Sequence, residues 1–122
     1  MKHSPGFLAI VNDAKSRVKE VTVDEDMAAI EKDPNAKLVD VREESEYAAG
    51  HVAGAEHIGK GVMERDIEKL HPDQEQPLYL YCGGGFRSAL AADNLQKMGY
   101  KNVYSVDGGW RAFLEKGVKT EK

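Results

Sequence analysis

The segment Cys82-Gly83-Gly84-Gly85-Phe86-Arg87-Ser88 gathers the residue types needed to hold a sulfur anion and use it as a nucleophile. Cys82 is the only cysteine, so it cannot close an intrachain disulfide, and its thiol is left for chemistry or for packing. Three consecutive glycines free the backbone to turn its N–H groups inward, because glycine tolerates positive φ. A helix starting behind them directs its positive end at the same point and favours thiolate over thiol. Arg87 adds a permanent positive charge. Such a thiolate suits attack on an electrophilic sulfur, phosphorus or arsenic centre. A lone cysteine at a strand end is also an ordinary small core residue, with glycines that merely turn the chain.

Two other chemistries fit less well. Zinc needs three or four clustered ligands, and His3, His51, His57 and His71 share no ligand spacing with Cys82, so no metal is expected. A nucleotide P-loop ends in Gly-Lys-Ser/Thr, whereas "CGGGFRS" lacks that ending and its lysine, and Ser88 alone does not supply the match.

The elements that must position this loop can be read from periodicity. "PLYLYC", 77–82, is the clearest strand, and Ala89, Leu90, Ala92, Leu95 and Met98 mark the apolar face of a helix over 87–98 that stops at Gly99. Earlier, 7–18 has helical spacing, "EVTV" at 20–23 is a short strand, and Thr22 with Glu25 forms a capping-box pattern before the next helix. "KLVDV" at 37–41 reads as a buried strand, 42–49 as a short helix stopped by Gly50, 55–58 as a strand and 61–70 as a helix. A last strand covers 102–106 and a last helix follows Gly108 and Gly109. Strands alternating with helices through short connections indicate a parallel sheet, hence an α/β fold. In such sheets ligands bind beyond the carboxyl ends of the strands, where Cys82 stands.

A chain of 122 residues fits one domain, 1–122, in which 1–19 is expected to be a helical extension packed on the rest and 118–122 a short tail. With 41% hydrophobic and 31% charged residues it is a globular mixture. A net charge of -4 without a basic stripe argues against nucleic acid and anionic membranes as partners. "GFLAIV" is far too short to span a membrane and Asp13 follows too soon for a signal peptide, so a cytoplasmic location is expected, in keeping with a single thiol.

Two separated stretches give the sequence a family likeness. In "LVDVREESEYAAGHVAGA", 38–55, the positions Asp40, Val41, Arg42, Glu46, Tyr47, Gly50, His51, Gly54 and Ala55 resemble the signature of the rhodanese superfamily of sulfurtransferases. "YLYCGGGFRSALAADNLQKMGYKNVYSVDGGWRAF" is similar to that family's active-site loop, following helix and closing Gly-Gly motif, and the resemblance runs from about Val21 to Phe113. It implies a three-layer α/β/α fold with a five-stranded parallel sheet, and Cys82 as a nucleophile that carries sulfane sulfur as a persulfide. Gly83, Gly84, Gly85, Phe86, Arg87 and Ser88 would form the persulfide cradle, with Asp40 and Arg42 either bracing it through polar contacts or serving structure alone. A small-molecule donor such as thiosulfate and an acceptor such as cyanide or a thiol, including a protein thiol, are the implied partners. Neither cofactor nor metal is implied, and a monomer is expected.

Further expectations concern the surroundings. Glu46 is expected to pair with Arg42, four residues earlier. His51 is read as holding a turn, and Trp110 and Phe113 as packing groups. Ala53 and Gly59 stand where the family often has proline. Many thiosulfate-using members of the family this chain resembles carry an additional basic residue that the "GGGF" segment lacks; with Arg87 as its only loop cation, the resemblance implies that thiosulfate is a poor donor. Three rival functions remain: a cysteine phosphatase or arsenate reductase, a sulfur relay between proteins, and a non-catalytic binding module. Against the phosphatase, four residues rather than five separate Cys82 from Arg87, and Tyr81 stands where a histidine is common. Against the binding module stands the presence of Cys82 itself.

Overall fold

The structure, a computed structural model, describes residues 3–122. Helix α1 (Pro5–Lys15) leads into strand β1 (Lys19–Val21), helix α2 (Val23–Lys32) and strand β2 (Lys37–Asp40). Helix α3 (Glu44–Ala49), the short strands β3 (His51–Val52) and β4 (Glu56–His57), a single 3-10 turn and helix α4 (Met63–Leu70) come next. Strand β5 (Leu78–Tyr81), helix α5 (Phe86–Lys97), strand β6 (Val103–Val106), helix α6 (Gly109–Glu115) and strand β7 (Thr120–Glu121) complete the chain.

Five strands form one parallel sheet in the order β1-β6-β5-β2-β4, which is the α/β architecture expected. Alternation along β5 builds both cores from a single strand: Leu78, Leu80 and Cys82 enter one cluster, Tyr79 and Tyr81 the other. The first cluster is roofed by α4 and α5 through Met63, Ile67, Ala91, Ala92 and Leu95, and α1 lies against α5. The second takes Val23 of α2 and Phe113 of α6. With β5 central and fully buried, the loop that leaves its carboxyl end is anchored on both faces.

Local signals act as the sequence suggests. Thr22 caps α2, its hydroxyl accepting the Glu25 N–H at 3.1 Å while the Thr22 N–H donates to the Glu25 carboxylate at 2.8 Å. Pro5 sits in the first turn of α1, where its missing N–H costs nothing. Within residues 118–122, β7 pairs antiparallel with β3, His51 opposite Glu121 and Val52 opposite Thr120. Among the described residues no helix is long and apolar enough to cross a membrane.

Candidate active site

Cys82 follows β5 directly, and its side chain is 1% exposed. The loop curls back so that the Gly85 N–H donates to Sγ at 3.1 Å, and the Ser88 hydroxyl lies 3.5 Å from Sγ. Ser88 is itself held at 2.8 Å by the hydroxyl of Ser105 on β6, and both serines are fully buried. Burial pushes the thiol pKa up, but the Ser88 hydroxyl and the N–H groups of Ser88, Gly84 and Gly85 outweigh it, leaving the thiol below its ordinary value. The thiolate is thus stabilised by hydrogen bonds aimed at the sulfur. Of the expected cradle residues, Gly84, Gly85 and Ser88 supply those bonds; Gly83 and Arg87 line the space in front, and Phe86 turns its ring toward that space.

The loop keeps this shape because α6 is bolted to it. The Trp110 N–H donates to the Cys82 carbonyl at 2.7 Å and the Arg111 N–H to the Gly83 carbonyl at 3.3 Å. Two glycines are needed for that approach. Gly109 has φ +49°, and a side chain there would collide with the Cys82 carbonyl; Gly85 has φ +99° and faces the Gly108 N–H closely enough to crowd any Cβ. Sequence reading treated 108–109 as a helix start, so Gly109 as a positioning residue was missed. Its signal was present in the Gly-Gly doublet after a buried strand.

Three features of the charges around the loop bear on the site, and the first departs from expectation. First, Glu46 does not pair with Arg42; its carboxylate accepts two hydrogen bonds from the Arg87 guanidinium, at 2.7 and 3.2 Å. Those bonds hold Glu46 below the usual carboxylate range, and they tie Arg87 from the helix side across the mouth of the site. The i,i+4 rule favoured Arg42, but Arg42 is claimed by a stronger partner. Second, Asp40 and Arg42 do not touch the cradle. Arg42 donates through its backbone N–H at 2.9 Å and its guanidinium at 2.8–3.1 Å to Asp40, and to the Gly50 carbonyl at 2.7 Å, with both side chains buried. Its guanidinium also lies 4.6 Å over the Trp110 ring, so the pair braces the loop through Trp110 rather than by polar contact. Third, Arg87 is the only cation of the loop itself, and a second guanidinium, Arg111 of α6, hangs beside Gly84 and borders the same space.

His51 does hold a turn, with Nδ1 at 2.9 Å from the Tyr47 carbonyl and its ring stacked on Tyr47. Phe113 is a core residue and Trp110 packs at the core margin. In front of Cys82 opens a cavity of about 550 Å³ bounded by Gly83 and Gly84, the guanidiniums of Arg87 and Arg111, and an aromatic wall.

A five-stranded parallel sheet with a buried, hydrogen-bonded cysteine at the end of its central strand defines an α/β protein with its reactive group in a strand-to-helix loop. The chain belongs to the rhodanese-like domain family, whose model matches residues 23–116. It is 36% identical over 78 residues to a thiosulfate sulfurtransferase of Coxiella burnetii, covering 62% of this chain and 71% of that one. The polysulfide-sulfur transferase homodimer of Wolinella succinogenes superposes with a TM-score of 0.81 at 28% identity, over 95% of this chain and 87% of that one. A Rhodopseudomonas palustris protein of unknown function, described as a possible tyrosine phosphatase, superposes with a TM-score of 0.83 at 29% identity, over 99% and 98%. The curated relatives differ in length, and the chain spans between 79% and 25% of them.

Proposed function

We propose that the protein is a sulfurtransferase that passes sulfane sulfur through a persulfide on Cys82. The observation that carries this reading is the set of donors converging on Sγ, with the Gly85 N–H at 3.1 Å and the Ser88 hydroxyl at 3.5 Å, in front of a cavity flanked by two guanidiniums. The Cys82 thiolate attacks the outer sulfur of an anionic donor; the new S–S bond forms as the donor's bond to that sulfur breaks, and the leaving group takes the electron pair. With thiosulfate the leaving group is sulfite. An acceptor such as cyanide or a thiolate then attacks the outer sulfur of the persulfide and returns Cys82 as thiolate. The loop N–H groups that face Sγ are fixed by the backbone, so the anionic sulfur is held in a preorganised polar site while the outer sulfur of the persulfide projects toward the cavity. Arg111 adds a positive charge beside the loop that favours anionic donors, while the charge of Arg87 is offset by Glu46.

The likeness to sulfur and polysulfide transferases supports this reading. The phosphatase reading is weaker, because only four residues separate Cys82 from Arg87, and Arg87 is held by Glu46. The test is steady-state thiocyanate formation from thiosulfate and cyanide. Ping-pong kinetics in the wild type, lost in Cys82→Ser, are expected, whereas turnover retained in Cys82→Ser would overturn the assignment. We further propose that the chain acts as a monomer on small-molecule donors and acceptors.

A further inference from the structure

The cavity at Cys82 has a wall that sulfur transfer from an inorganic ion does not need. His3 and Phe7 of the N-terminal segment meet Phe86, the first residue of α5, with ring centroids 5.3 Å (His3–Phe7), 4.7 Å (His3–Phe86) and 6.2 Å (Phe7–Phe86) apart. All three rings border the same space as Cys82, Gly84 and Arg111. Phe86 is held in place by the Lys15 ammonium, 4.8 Å from its ring centroid. His3 and Phe7 are half-buried rather than sealed in the core, so their faces are available to an occupant. A cavity of about 550 Å³ is in the range used for organic ligands, and thiosulfate, small and hydrophilic, would fill little of it and gain nothing from three aromatic faces.

We infer that the His3–Phe7–Phe86 wall is a specificity subsite that takes the apolar group of an organic sulfane-sulfur donor, whose anionic sulfur end lies between Arg87, Arg111 and Cys82. This rests on the reading of Cys82 as the persulfide carrier and names the class of its donor. The group R of a thiosulfonate anion, R–SO2–S⁻, packs on the rings while its terminal sulfur meets the Cys82 thiolate. A bond forms between Sγ and that sulfur, the S–S bond of the donor breaks, and the sulfinate R–SO2⁻ leaves with the electron pair. One anion, the thiosulfonate, enters and one, the sulfinate, leaves, while Cys82 passes from thiolate to persulfide anion, so no further reactant is required. Positioning R fixes the attack line of the sulfur, so the subsite acts on the rate of loading as well as on binding.

The probes are the benzenethiosulfonate and methanethiosulfonate anions, which deliver the same sulfur atom from an aromatic and a minimal group. Loading of Cys82 is followed by rapid quenching and intact mass, and each rate is divided by the rate of the same probe with N-acetylcysteine to remove the difference in leaving group. The normalised preference for the benzene probe is expected to be on the order of tenfold or more in wild type. It should fall severalfold in Phe7→Ala and in His3→Ala; the latter changes a half-buried ring outside the core and reports the subsite even if Phe7→Ala loosens α1. Equal normalised rates, or a preference that both variants retain, overturn the subsite while leaving the Cys82 chemistry standing. Failure of both probes and of thiosulfate to load Cys82 overturns the subsite together with the persulfide reading.

Discussion

Asp26 sits on α2 with neither carboxylate oxygen hydrogen-bonded and no exposed surface, in a layer built from Val23, Leu38 and Tyr79. Desolvation pushes its pKa up from the ordinary 3.8 to about 7. A carboxyl group that holds its proton more tightly in the folded chain stabilises the fold fully below pH 3.8, and that stability is lost as the pH rises toward 7. The interval of roughly 3 pH units at about 1.36 kcal/mol each is about 4 kcal/mol, of which about 2.5 kcal/mol falls between pH 5 and 8. Asp26→Asn keeps the shape and removes the titration. Urea unfolding followed by Trp110 fluorescence at pH 5, 6, 7 and 8 gives the difference in stability between wild type and variant at each pH. The paired carboxylates Asp93 and Glu46 have lowered pKa values, act in the opposite sense at lower pH, and cancel in the difference. The variant should gain on wild type by about 2.5 kcal/mol across this range. A difference that stays flat, or moves the other way, would show that the Asp26 carboxylate has found solvent or a partner, and the reasoning from its burial would fail.

Two further predictions concern the site and its brace. Ser88→Ala removes the hydroxyl beside Sγ, so the Cys82 thiol pKa should rise; the pH profile of iodoacetamide alkylation reads the shift, and an unmoved or lowered profile would remove Ser88 from the list of thiolate-stabilising groups. Arg42→Ala leaves the buried Asp40 carboxylate without its cation, keeping only the backbone N–H of residue 42, and should cost about 3–5 kcal/mol in urea unfolding at neutral pH; a loss below about 1 kcal/mol would mean that the pair braces nothing.

The order of strands and helices was legible because each element carries its own periodicity, and β5, Cys82 and the glycines lie in one continuous stretch. The capping box of α2 is likewise local, three residues apart. What could not be read depends on distant partners. Glu46 meets Arg87 from 41 residues away, so a rule based on helical spacing chose Arg42 instead. Arg111 looks like any helix residue until Gly109 docks α6 on the Cys82 carbonyl and swings that guanidinium beside the loop. Strands β3 and β7 are two residues each, too short for alternation to show, and they pair across more than half of the chain. Asp26 stands among acidic neighbours at the start of α2, and only packing of α2 on the sheet reveals it as buried. Phe7 was visible as one apolar helix position, while its meeting with Phe86 required α1 to fold against α5.

The most direct test of the central claim is the intact mass of the protein after incubation with thiosulfate, and again after cyanide, for wild type and Cys82→Ser side by side. A gain of one sulfur atom, about 32 mass units, on wild type alone, reversed by cyanide with release of thiocyanate, is the predicted result. A gain of the same mass on Cys82→Ser, or a wild-type protein that takes up no sulfur from thiosulfate, polysulfide or thiosulfonate donors, would contradict it.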